Sequence, residues 1–92
     1  MDKNDIYEML LEYLTKTETP PETAILLKKR KLVSITYDNG CINFKWHKFR
    51  RYCEISVANE YSIKSIKFTY NEINAIANFA LYKLKEGEET NE

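Results

Sequence analysis

Leu32-Val33-Ser34-Ile35-Thr36-Tyr37-Asp38-Asn39-Gly40-Cys41-Ile42-Asn43-Phe44-Lys45-Trp46 is the stretch on which the fold turns. Two β-rich runs, 32–37 and 41–46, flank Asp38-Asn39-Gly40. Asn-Gly suits a two-residue type I′ hairpin turn, whose central positions both need positive φ. A turn at Asn39-Gly40 sets Tyr37 opposite Ile42, Ile35 opposite Phe44 and Val33 opposite Trp46. All six side chains then fall on one side of the ribbon. A slip of one residue would turn a strand's apolar set to the other side.

The same alternation continues downstream. A second turn at 47–50, tight at Lys48-Phe49, leads into the run 51–58, in which Cys53, Ile55 and Val57 point one way. That turn sets Phe44 opposite Cys53 and Ile42 opposite Ile55. Asn59-Glu60-Tyr61 makes the third turn, and 62–68 is a fourth strand with Ile66 and Phe68 on the apolar side. The prediction is a four-stranded antiparallel meander with one apolar face.

A helix follows. Thr69 and Glu72 have the spacing of a capping box, and Phe68 and Ile73 that of a hydrophobic staple. Tyr70, Ile73, Ile76, Ala77, Ala80, Leu81 and Leu84 form its apolar stripe. Lys83 and Lys85 are expected in the last turn, and Gly87 at its end. Residues 88–92 then form an acidic, disordered tail.

Upstream, Ile6, Met9, Leu10, Tyr13 and Leu14 recur at helical spacing and predict a helix over 2–17. Thr19-Pro20-Pro21-Glu22 fits a capping box that opens a short helix through Leu27. The proline pair also suits an extended connector. The fold class is therefore α+β with order α-β-β-β-β-α, the N- and C-terminal helices packed on one face of the sheet. Residues 1–87 make one domain.

The chain has 92 residues, 43% apolar and 30% charged, with zero formal net charge. That size and composition describe one globular domain with a modest core. Zero net charge excludes a whole-molecule field that draws in polyanions. No apolar run is long enough for a membrane span or a leader peptide, so a cytoplasmic protein without a membrane partner is expected. Gln is absent, and Ile, Lys, Asn, Tyr and Glu are abundant, a bias compatible with a phage or other mobile element. Residues 38–46 and 52–57 resemble a hairpin theme of small bacterial and phage proteins. The resemblance implies a fold and no functional residue.

Catalytic and metal chemistry find little support. One histidine, His47, and two cysteines, Cys41 and Cys53, offer no metal spacing. Cys53 is expected to face the core and Cys41 to face outward, so no disulfide joins them. Cys41 and His47 sit at opposite ends of one strand, roughly 20 Å apart at ~3.4 Å per residue. No cofactor and no catalytic residue are assigned.

Binding features are clearer. Lys45-Trp46-His47-Lys48-Phe49-Arg50-Arg51-Tyr52 interleaves cations with aromatics. His47, Lys48, Phe49, Arg50, Arg51 and Tyr52 are the expected partner-binding residues, with Phe49 as an apolar anchor and the arginines pairing with carboxylates. The expected activity is non-enzymatic inhibition or modulation of a host protein by occlusion. The alternative is a nucleic-acid-binding regulator that joins Lys28, Lys29, Arg30 and Lys31 with Lys45, Lys48, Arg50 and Arg51. A third candidate is the polar sheet face, comprising Ser34, Thr36, Asn43, Lys45, His47, Tyr52, Glu54, Ser65 and Lys67. A fourth is self-association, either as a structural protein or as a homodimer joined through a sheet edge, marked by the outward Ile63.

Overall fold

The computed structural model describes residues 2–90. Its elements are α1 (Lys3–Leu14), α2 (Glu22–Lys28), β1 (Ser34–Tyr37), β2 (Gly40–His47), β3 (Tyr52–Asn59), β4 (Ile63–Thr69) and α3 (Tyr70–Thr90). The strands form one antiparallel sheet in the order β1-β2-β3-β4. The expected α+β meander is what the chain forms, with α2 as a further helix.

One core joins the helices to one sheet face. Ile6, Leu10 and Leu14 of α1 are fully buried, as are Ala24 and Leu27 of α2 and Ile73, Ile76, Ala77 and Ala80 of α3. They meet Ile42 and Phe44 of β2, Cys53, Ile55 and Val57 of β3, and Phe68 of β4. No polar or charged residue is buried among the described residues. No helix among them is long and apolar enough to cross a membrane.

The register departs from expectation at the first two hairpins. In the first, Tyr37 pairs with Gly40 and Ile35 with Ile42, so the loop is Asp38-Asn39. Neither Asn39 nor Gly40 has positive φ, so the turn is not type I′. Gly40 is needed for space: a Cβ there would collide with the carbonyl oxygen of Ala58 on β3. In the second, Phe44 pairs with Ile55 and Ile42 with Val57, leaving a four-residue loop, 48–51. Each register is shifted by two residues. A shift of two keeps every side chain on its own face, so the inward set survives with one exception. Val33 is 71% exposed, because the strand begins only at Ser34, and Leu32 takes the buried place.

Helix ends follow local hydrogen bonding. Asp2 and Asp5 form a reciprocal capping box at α1, with bonds of 2.9 and 3.0 Å. The helix stops at Leu14 rather than 17, where Thr15 Oγ1 donates to the Leu11 carbonyl at 2.7 Å. The Thr19 hydroxyl donates to the Tyr13 carbonyl at 2.6 Å, so the expected Thr19–Glu22 box does not form and α2 has no side-chain cap. The Thr69–Glu72 box does form, with bonds of 2.9 and 3.1 Å. Helix α3 runs through Gly87 to Thr90, so Gly87 is interior and Lys83 and Lys85 precede the last turn. Without positive φ, Gly87 cannot cap. Of the expected disordered tail, 88–90 is helical, and 91–92 lie outside the described residues.

Candidate functional site

The meander returns the β2–β3 loop to the end of the sheet where β1 begins and β4 feeds α3. The two basic segments meet there. A cleft of about 420 Å³ is lined by Lys29, Arg30, Lys31, Lys48, Arg51 and Tyr70. Among the described residues its lining holds five cations and no carboxylate.

Each side of the cleft is held by backbone geometry. Helix α2 ends in a Schellman motif, in which the Arg30 amide donates to the Leu27 carbonyl at 3.0 Å and the Lys31 amide to the Leu26 carbonyl at 2.8 Å. Arg30 occupies its left-handed position at φ 59°. Across the cleft, the Arg51 amide donates to the His47 carbonyl at 2.8 Å, and Arg51 closes the loop at φ 57°. These are the only two non-glycine residues with positive φ among the described residues. That conformation costs an L-residue roughly 1–2 kcal/mol, which glycine largely avoids. Both positions hold arginine, and both line one cleft.

Tyr70 joins the two sides. Its amide donates to the Arg51 carbonyl at 3.4 Å, and the Arg30 guanidinium lies 5.0 Å from its ring centroid. Its ring meets Trp46 edge-on at 6.0 Å, and Trp46 Nε1 donates to the Leu32 carbonyl at 2.8 Å. The Tyr70 hydroxyl is buried without a hydrogen-bond partner.

The wider charge distribution agrees. Between residues 23 and 53 lie eight cations, Lys28, Lys29, Arg30, Lys31, Lys45, Lys48, Arg50 and Arg51, against one carboxylate, Asp38. Zero net charge thus conceals a strongly basic middle segment and acidic flanks. That asymmetry was available in the sequence, and a whole-chain total hides it.

The predicted partner-binding residues do not form one surface. Lys48 and Arg51 enter the cleft. Phe49, fully exposed, and Arg50 stand at the apex of the loop. His47 and Tyr52 turn to the open sheet face, where their rings stack at 4.4 Å with Lys67 Nζ 5.0 Å from the Tyr52 ring. Lys45 lies on that face beside Glu54 in the ladder. Lys28 is exposed but does not line the cleft. Tyr70, which joins the two basic segments, was missed because it also fits the apolar stripe of α3.

Other chemistry is sparse. No group of three or more His, Cys, Asp or Glu among the described residues can hold a metal. Both cysteines are free. Burial pushes the Cys53 thiol up to about 12, against a hydrogen bond from the Lys45 backbone. Cys41 sits half-buried beside Gly40, accepting from Asn43 Nδ2 at 3.5 Å. In comparisons with known proteins, no family model, no curated protein and no solved structure matches the chain.

Proposed function

We propose that the protein is a non-enzymatic nucleic-acid-binding protein whose basic cleft grips the phosphate backbone. The observation that carries this reading is the convergence of Arg30 and Arg51, both in the left-handed conformation, with Lys29, Lys31 and Lys48 on one carboxylate-free cleft. Backbone strain kept at two charged positions in one place points to a ligand for those charges. Phosphates suit them, because closely set cations gain from releasing the counterions condensed on nucleic acid. The exposed Phe49 ring beside the cleft suits stacking on an unpaired base.

Fluorescence anisotropy with a labelled single-stranded oligonucleotide tests the reading. Binding should weaken steeply with salt, and each cleft cation removed should flatten the logarithmic salt slope by about 0.7. Binding absent at low salt, or insensitive to salt, overturns it.

A second reading is favoured by Phe49 alone. A fully exposed aromatic flanked by Lys48 and Arg50 also fits a protein hot spot, and occlusion of an acidic protein surface would use the same end of the molecule. A partner captured without nucleic acid, and lost with Phe49→Ala, would favour it.

A further inference from the structure

The sheet has two free edges, and they are built differently. Edge strand β4 carries Lys64 and Lys67, the charged residues that discourage pairing with another strand. Edge strand β1 reads Ser-Ile-Thr-Tyr, with no charge and no proline. Among the described residues, no backbone hydrogen bond reaches its outer side. The Phe44 amide donates to the Val33 carbonyl at 2.9 Å, which makes that pair a hydrogen-bonded one. Alternation then turns Ile35 and Tyr37 towards β2, and the amides and carbonyls of Ser34 and Thr36 outward.

A groove of about 660 Å³ runs along this outer side. One wall is β1 from Ser34 through Tyr37. The other is the end of α1, the connector and the start of α2, with Tyr13, Thr19, Pro20 and Thr23. No residue of β2 lines it. The Tyr13 and Tyr37 rings stack at 4.9 Å across the junction of the walls, and Lys16 Nζ covers the Tyr13 ring at 4.2 Å.

We infer that this groove takes an extended peptide from another protein as a fifth strand, paired to β1. The outward groups of Ser34 and Thr36 supply main-chain hydrogen bonds, which recognise extended backbone rather than a side chain. A strand laid there sends alternate side chains against Tyr13, Tyr37 and Pro20, and the others to the polar sheet face. The peptide is therefore one that alternates apolar and polar residues. A second copy is the poorer occupant, because it would have to bring the wall beside its own β1 into the same groove, whereas a peptide brings none. The inference is independent of the basic cleft, whose lining shares no residue with the groove.

The test pans a phage-displayed random-peptide library on the immobilised full-length chain, then titrates the selected peptides into isotopically labelled protein. Selected peptides should alternate apolar and polar residues. They should shift the Ser34 and Thr36 amides and slow their hydrogen exchange. N-methylation of alternate peptide amides should weaken binding by about tenfold, through lost hydrogen bonds. Thr36→Pro, which removes an outward amide and no backbone bond to β2, should block binding while its spectrum stays folded. If that variant fails to fold, the N-methylated peptides still decide. No selected peptide, shifts confined to the basic cleft, or dimers in light scattering that Thr36→Pro splits would overturn the inference.

Discussion

Gly40 lies so close to the carbonyl oxygen of Ala58 on β3 that a Cβ at position 40 would overlap that oxygen. The same Cβ would stand 3.1 Å from the Tyr37 hydroxyl. The glycine is therefore held by packing, in a backbone conformation that any residue can adopt. Gly40→Ala should destabilise the fold by about 1–3 kcal/mol, the usual range for overpacking. Gly87 is the contrast: a Cβ there meets nothing within 4 Å, and the residue is helical. Gly87→Ala should stabilise by roughly 0.5–1 kcal/mol. Urea unfolding of both variants against the parent checks the pair. A neutral Gly40→Ala would mean that the β2–β3 approach is looser than described.

Arg51 and Arg30 offer a way to separate folding from binding. Replacement by glycine relieves roughly 1–2 kcal/mol of left-handed strain and returns part of it as unfolded-chain entropy. Arg51→Gly should therefore leave stability equal or raise it by up to about 1 kcal/mol. Arg30→Gly should fall nearer neutral, because it also loses the contact with Tyr70, worth about 0.5–1 kcal/mol at an exposed site. Both should weaken oligonucleotide binding and flatten its salt dependence. A more stable protein that binds less well is the expected signature of strain kept for a ligand. Thermal unfolding and anisotropy on the same samples check it. Unchanged binding in both would remove the arginines from the site.

The inward face of the sheet was legible because alternation survives a slip of two residues. Ile42, Phe44, Ile55 and Phe68 point inward in either register. The register itself was not legible. Asn39-Gly40 reads locally as a pair needing positive φ, whereas Gly40 answers to Ala58, a residue eighteen positions away that no local rule weighs. Val33 failed for a related reason: it continues the alternation but precedes the strand.

The site was half legible. Both basic segments stood out by composition, yet their meeting depends on how α2 ends, and residues 16–31 allowed two readings. A Schellman turn with arginine in its left-handed position has no sequence signature, since glycine is the usual cue. Tyr70 was hidden because one residue serves both the helix stripe and the cleft.

Glu72 makes the start of α3 sensitive to acid. Its burial opposes ionisation, but the Lys3 ammonium at 2.8 Å and the Thr69 amide and hydroxyl outweigh that, so its pKa lies below the usual carboxylate value. A lowered folded pKa contributes stability that is fully present above the unfolded value, about 4.3, and is lost as pH falls through the folded one. Lys3 and Glu72 are both substantially exposed, so the contribution should stay within roughly 1 kcal/mol. The difference in unfolding free energy between the parent and Glu72→Gln should shrink as pH drops below about 4.3. Thr69→Ala should cost about 1 kcal/mol at neutral pH by removing the cap. A parent–Glu72→Gln difference that does not change with pH would show that the ion pair and cap do not favour the charged form.

Phe49 decides what kind of partner the basic end meets. It is fully exposed between Lys48 and Arg50 and contributes nothing to the core, so Phe49→Ala should move stability by less than about 0.5 kcal/mol. Its loss should be felt only by a ligand that covers the ring. For a single strand, a stacked base is worth about 1–3 kcal/mol, so affinity should drop at least several-fold. For a duplex, whose bases are already stacked, the phosphate contacts of Arg30, Arg51 and the lysines should persist and affinity should hardly change. Anisotropy with matched single- and double-stranded probes therefore separates stacking from charge in one variant. Equal losses on both probes would place the ring against the backbone instead. No loss on either, with a protein partner released by the same substitution, would transfer the end of the molecule from nucleic acid to protein recognition.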